Sequence, residues 1–353
     1  MNDTRLPLNS KNLFQSASAK FTAFCIIITL VALGLLMVRA PQALDHALHI
    51  GYEYGLGVVS VLSVLFISHF IISFVIQIRQ SRTDKAPDRA RWYKSYFSNT
   101  RWKDISAASV ALIVTTTSFT VHKGAVIGAM GYDYDEKFIS WDRALFGGID
   151  PWRITHSIFS TPTATGWIDF LYHPAFLPML IGYLLCIPVR GKAELRYTYM
   201  VSYLASFVVI GMLMAASLPS AGPLFDGVLF GDGATFAPLV NRLNTQHLAS
   251  DAQTSNAIRE YLLTLHQRGN IKMGAGISAM PSMHIVLAFL WVFPSWHINR
   301  TLGVAMTIYA LVIWIGSVHL GWHYFVDGLV GLIVVAIIWR AVGQSMGLYQ
   351  RVR

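Results

Sequence analysis

The stretch RTLGVAMTIYALVIWIGSVHLGWHYFVDGLVGLIVVAIIWR, residues 300–340, decides the fold. It holds two apolar runs, near 301–318 and 322–342. Each is long enough to cross a bilayer, which takes about 20 mostly apolar residues. Only a short turn separates them, so two antiparallel neighbouring helices are expected. Charge is confined to Arg300 and Arg340 at the ends and to His319, His323 and Asp327 around the turn. Ionisable side chains at the ends of spanning helices are costly, and they are functional-site candidates by default.

Working outward, six more runs of this kind lie near 21–40, 54–78, 105–121, 167–188, 197–218 and 281–298, about eight in all. The run at 105–121 is the weakest, because Thr115, Thr116 and Thr117 dilute it. The whole composition agrees: 54% of the 353 residues are hydrophobic and only 13% charged, against roughly 25% charged in a soluble domain. Cys25 and Cys186 both sit in apolar stretches and offer neither a disulfide framework nor zinc spacing.

The formal charge of +9 could point to nucleic acid, but its distribution argues for topology. With the N-terminus inside, about two thirds of the Lys and Arg fall on the cytoplasmic side and most of the Asp and Glu on the other. The basic segment 79–103, interleaved with Trp92, Tyr93, Tyr96, Phe97 and Trp102, reads as an interfacial stretch lying on anionic headgroups. No nucleic-acid partner is expected. Two long segments, 122–166 and 219–280, fall on the outer side. The first is rich in aromatics and Gly and is expected to pack on the membrane surface.

Two clusters could carry chemistry. One is Pro281-Ser282-Met283-His284 at the start of the sixth run. The other spans Ser317 to Gly328 and contains His319, His323 and Asp327. Both are expected at the outer face. On a helix His323 and Asp327 would share a face at i and i+4, so the carboxylate would fix one imidazole nitrogen and leave the other basic. Such a His can attack phosphorus, and His284 can protonate the departing oxygen. Pro281 suits a first helical turn, and Ser282 adds a hydroxyl where a helix start favours phosphate. Two other readings stand beside this one. His319, His323, Asp327 and His284 could ligate zinc, or the His and Asp residues could relay protons in a transporter.

These residues resemble the type 2 phosphatidic acid phosphatase superfamily. That family carries Pro-Ser-Gly-His followed by Ser-Arg-x5-His-x3-Asp; here Met283 replaces the Gly and Gly316-Ser317 stands where the Ser-Arg would be. The family's Lys-x6-Arg-Pro motif is missing. These departures look closer to the inositol phosphorylceramide synthase and sphingomyelin synthase-like lipid phosphotransferases. So do Gly328-Leu329-Val330-Gly331, Leu218-Pro219-Ser220-Ala221-Gly222-Pro223 and, more weakly, Asp142-Arg143-Ala144-Leu145-Phe146-Gly147-Gly148. The resemblance is specific over about 281–331, extends more weakly from about 135, and leaves 1–120 untouched.

The resemblance implies His323 as nucleophile, Asp327 as its orienting partner, His284 as general acid and no metal or other cofactor. Without the usual Arg, the phosphate would need other cations. Lys272 and Arg268 come first as substrate-binding residues with Ser282, then Lys123 and Arg143, with His319 as a further substitute. The expectation is therefore an all-α polytopic bundle, with an N-terminal membrane region at 1–120 and a catalytic membrane domain at 121–353. Its substrates would be membrane lipids, and transfer and hydrolysis both stay open. The site would lie on the non-cytoplasmic face, with a bacterial inner membrane favoured because the long outer loops lack glycosylation sequons.

Overall fold

The computed structural model describes residues 10–80, 99–190, 192–229, 235–248 and 254–349 of the chain. Its regular elements are all helical, with no strand among the described residues. In chain order the longer helices are α1 (Ser10–Arg39), α2 (Leu44–Gln80), α3 (Asn99–His122), α4 (Asp135–Leu145), α5 (Pro151–Ile158), α6 (Pro162–Tyr172) and α7 (Phe176–Arg190). There follow α8 (Ala193–Ser206), α9 (Ala237–Leu248), α10 (Thr254–Gln267), α11 (Met283–Ile298), α12 (Arg300–His319) and α13 (Phe325–Ser345). Helix α3 runs on through a π-helical turn, Lys123–Ile127, to Met130, and α8 runs on through Phe207–Met214 to Ser217.

Five helices among the described residues are long and apolar enough to span a membrane, against the eight expected. They cover Ala17–Arg39, Trp102–Met130, Ala193–Ser217, Arg300–His319 and Phe325–Ser345. Two differences have plain causes. The run at 167–188 is not one helix but two, α6 and α7, parted at His173-Pro174-Ala175. Proline lacks the amide hydrogen a helix interior needs, and its ring crowds the carbonyl one turn back. The run at 281–298 gives only the 16-residue α11, about 24 Å long at 1.5 Å per residue and short of the bilayer's apolar core of about 30 Å. The run at 54–78 lies within α2. Most of the basic stretch 79–103 falls outside the described residues, as does the side chain of Cys186.

The long α8 is the central post, the most buried of the five spans, with α1, α3, α7, α11 and α13 packed around it. The threonines that dilute the third run are buried in α3, and the Thr116 hydroxyl donates to its own helix at Leu112 O, 2.8 Å. Bonding back to the helix makes a hydroxyl tolerable away from water. One buried carboxylate ties three helices: Asp104 on α3 accepts from Ser18 of α1 and Tyr197 of α8, both at 2.6 Å. On the outside of α1, Ile26, Ile27, Leu30, Met37 and Val38 are exposed, an apolar surface that suits lipid.

The last three helices build the end that matters. Asn299 both ends α11 and caps α12, accepting from Leu302 N at 2.8 Å, so the two helices turn back on each other over one residue. Helix α13 then lies against both. A Cβ on Gly328 would fall 2.2 Å from the Trp314 indole, and one on Gly331 would fall 3.0 Å from Val286. Gly328 is therefore a close-approach position that admits no side chain.

Candidate active site

At the α12–α13 junction, Ser317 O accepts from both Trp322 N and His323 N. The chain passes through Gly321 at φ +73° before α13 begins. His323 does not share a helix with Asp327 as the spacing implies. Tyr324 is the N-cap of α13, and Asp327 sits three residues into the cap as its reciprocal partner, accepting from Tyr324 N at 3.0 Å. The i, i+4 bond forms all the same, because the cap turns the carboxylate back: His323 Nδ1 lies 3.2 Å from Asp327 Oδ2 and 2.9 Å from Ala279 O. Both neighbours are acceptors, so Nδ1 carries the proton and the Nε2 lone pair is left free. His323 is 7% exposed and Asp327 fully buried.

Helix α11 supplies the second imidazole. Ser282 is its N-cap, accepting from Ile285 N at 3.4 Å, so Pro281 precedes the cap and is not in the first turn. His284, one residue into the helix, is packed between the rings of Tyr172 and Phe176 at centroid distances of 4.8 and 4.7 Å. Among the described residues neither of its ring nitrogens has a hydrogen-bond partner. It lies within electrostatic reach of His323, His173 and Lys123.

The other expected residues are spread more widely. His319 is the last residue of α12, not part of the turn, and belongs to a separate cluster. Its ring stacks on His156 at 3.8 Å, its Nε2 bonds Thr165 at 2.9 Å, and its Nδ1 bonds Thr155 at 3.3 Å. The four-ligand zinc arrangement is therefore not formed, and among the described residues no group of three or more His, Cys, Asp or Glu is placed to hold a metal. Lys272 and Arg268 are exposed. Arg143 is engaged with Asp150, Nε to Oδ1 at 2.6 Å. Lys123 differs from these, since its charge is felt at both His284 and His323. It stands in the π-helical turn that ends α3, where Gly276 packs on its backbone so closely that a Cβ there would fall 2.8 Å from Lys123 C. π-Turns inside helices recur at functional sites.

A family model described as the PAP2 superfamily matches residues 136–341. The chain belongs to the PAP2 superfamily. Membership supports a lipid phosphatase or phosphotransferase type of function. No curated protein and no solved structure matches the chain. The matched PAP2 region runs from α4 to α13 and contains His284, His323 and Asp327, while α1 to α3, and Lys123 with them, lie outside it.

Within the PAP2 region the segment 142–151 has a clear task. Asp142 on α4 accepts from Phe325 N at 2.8 Å and Val326 N at 3.0 Å, closing the start of α13 from a distance in sequence. Burial raises its carboxyl to about 7, with the nearby charges of Asp327 and Asp150 adding to the shift and the two amide donors opposing it. Asp135, two turns earlier on the same face of α4, accepts from Ala221 N, Gly222 N and the Tyr324 hydroxyl. These two carboxylates fix the strand of backbone on which His323 rides.

One group of residues escaped the sequence reading. His173, at the break between α6 and α7, holds Asp169 at 2.8 Å through Nδ1. Asp169 also accepts from Ser255 Oγ at 2.6 Å and Ser255 N at 3.2 Å, and Trp322 Nε1 donates to Ser255 Oγ at 3.2 Å. The signal was available: an Asp-x3-His pair inside an apolar run, with Pro174 directly after it.

Proposed function

We propose that the protein is a membrane-embedded lipid phosphotransferase of the inositol phosphorylceramide synthase or sphingomyelin synthase-like kind. It would move a phosphate-bearing head group between lipids through a phosphohistidine on His323. The observation that carries this reading is the pair of acceptors on His323 Nδ1, which leaves Nε2 as a nucleophilic lone pair. In the first step Nε2 bonds phosphorus, the bond to the donor lipid's oxygen breaks, and His284 gives that oxygen a proton. An acceptor hydroxyl then attacks the phosphohistidine, the electron pair of the P–N bond returns to His323, and the acceptor's proton passes to a base, His284 in the simplest scheme.

Lys123, with Ser282 at the head of α11, is the favoured phosphate clamp, supplying the cation that the absent Arg would provide. Lys272, Arg268 and His319 are weaker candidates on account of their exposure or their other partners. Burial of His323, Asp327 and Ser282 favours transfer over hydrolysis, because a site that excludes water protects a reactive intermediate. We place the site on the non-cytoplasmic face, from the distribution of Lys and Arg in the chain, and favour a bacterial inner membrane because the long outer loops lack glycosylation sequons. Residues 1–120 form an N-terminal membrane region, with the catalytic domain following.

The test uses purified protein in detergent with labelled phospholipids, with and without ceramide or diacylglycerol. The proposal expects a new lipid phosphodiester that needs both the acceptor and His323. Release of phosphate or phosphomonoester that needs His323 but no acceptor would make the protein a lipid phosphatase. Products that form equally well in His323→Ala would overturn the reading.

A further inference from the structure

The site contains a second His–Asp pair, and it faces His284 from another side. His173 and Asp169 repeat the chemistry of His323 and Asp327 with the chain order reversed. In both pairs the imidazole Nδ1 donates to a buried carboxylate, which leaves Nε2 as the basic nitrogen. Asp169 is fully buried and held by two donors from Ser255, so the carboxylate stays in place without help from the imidazole. His173 is packed against the Trp322 ring at 5.5 Å, next to His323 in the chain, and lies 6.5 Å from the His284 ring, nearly perpendicular to it. Among the described residues its Nε2 has no hydrogen-bond partner.

Resting on the proposed phosphohistidine chemistry, we infer that His173 is the acceptor-side base, divided in labour from His284, which serves the departing lipid. With one acid–base residue, donor and acceptor oxygens must occupy the same place in turn. Two imidazoles, one on α11 and one at the α6–α7 break, serve them from two directions. The acceptor's O–H bond breaks, and its proton goes to His173 Nε2. Its oxygen bonds phosphorus, and the P–N bond breaks with its electron pair returning to His323. The proton on His173 then passes to His284, which lost its own to the first leaving group, and the site is reset. The acceptor class this geometry serves is an alcohol, with water as the alternative nucleophile.

The network also has a plain structural effect, since Asp169 caps the start of α10 through Ser255 N. That contact does not involve the His173 ring, so His173 can be tested by itself. Radiolabelled phosphatidylinositol and phosphatidic acid serve as donors for phosphoenzyme formation, and diacylglycerol, ceramide or water as acceptors for its discharge. In His173→Ala and His173→Gln, phosphoenzyme should form within about twofold of wild type, while discharge slows about 100-fold, the scale of a lost general base. Asp169→Asn should slow discharge too, because it loses the carboxylate that fixes the His173 tautomer. Normal discharge in both His173 variants would overturn the assignment. So would an equal fall in both half-reactions together with a lowered melting temperature, which would mark a structural role. A wild-type protein that forms no His323-dependent phosphoenzyme would overturn the phosphohistidine reading itself. A normal phosphoenzyme with unaltered discharge overturns only this assignment.

Discussion

His319 and His323 are four residues apart, both buried at the end of the same helix pair, and they are set up for opposite purposes. His319 spends both ring nitrogens on Thr165 and Thr155, stacks on His156, and gives its backbone oxygen to His156 Nε2 at 2.8 Å. His323 spends one nitrogen on two acceptors and keeps the other free. Burial alone does not distinguish the two; the unspent nitrogen does. His284 and His173 also keep a free nitrogen, but so do His156 at Nδ1 and His122 at both nitrogens, so the criterion selects only together with a place beside His323.

The largest effect should come from exchanging the two roles. His323→Ala should lose about 10⁴-fold or more in activity, as nucleophile deletions do, with its melting temperature nearly unchanged. His319→Ala should do the reverse, losing about 3 kcal/mol of stability while its folded fraction keeps its activity. If His319→Ala instead abolished activity at wild-type stability, the comparison would break.

Next in size is a pH effect on the stacked pair. Burial holds His156 down to about 4, below its ordinary 6.5. The folded protein therefore binds this proton less readily than the unfolded chain. Its stabilising contribution is complete above about 6.5 and is lost as pH falls towards 4, about 3 kcal/mol in all. Thermal unfolding followed from pH 7.5 to 4.5 should show the loss, and His156→Gln should flatten it.

Lys123→Ala should lower activity about 100-fold, the cost of removing one preorganised charge partner from a developing anion. Lys272→Ala and Arg268→Ala should stay within about twofold. The opposite ranking would return the phosphate clamp to the loop before α11. Smaller still, Asp142→Ala should cost about 2 kcal/mol through the lost cap on α13. Asp142→Asn should cost less, because an amide oxygen still accepts from those amides. Chemical denaturation in detergent would separate the two.

The contact of His323 with Asp327 was legible because they stand four positions apart, and the place of His284 because it follows a helix start. The membrane character was legible from composition alone. Connections across the chain were not. Asp142 meets Phe325 at a separation of 183 residues, which no periodicity encodes. Lys272 looked nearer to the site than Lys123 because it is nearer in the chain to α11, yet the fold brings the end of α3 to the histidines. His173 was lost inside what hydropathy reads as one span, since a window average smooths over the break that Pro174 imposes. The hydropathy count likewise took the 16-residue α11 for a full span.

The most direct measurement is to trap the intermediate. Purified protein would be mixed with labelled phospholipid, quenched in alkali, where phosphohistidine survives, and digested for mass spectrometry. The account predicts one phosphorylated peptide, modified at His323, forming more slowly in His284→Gln and absent in His323→Ala. Label found on another residue, or turnover in His323→Ala at the wild-type rate, would contradict it.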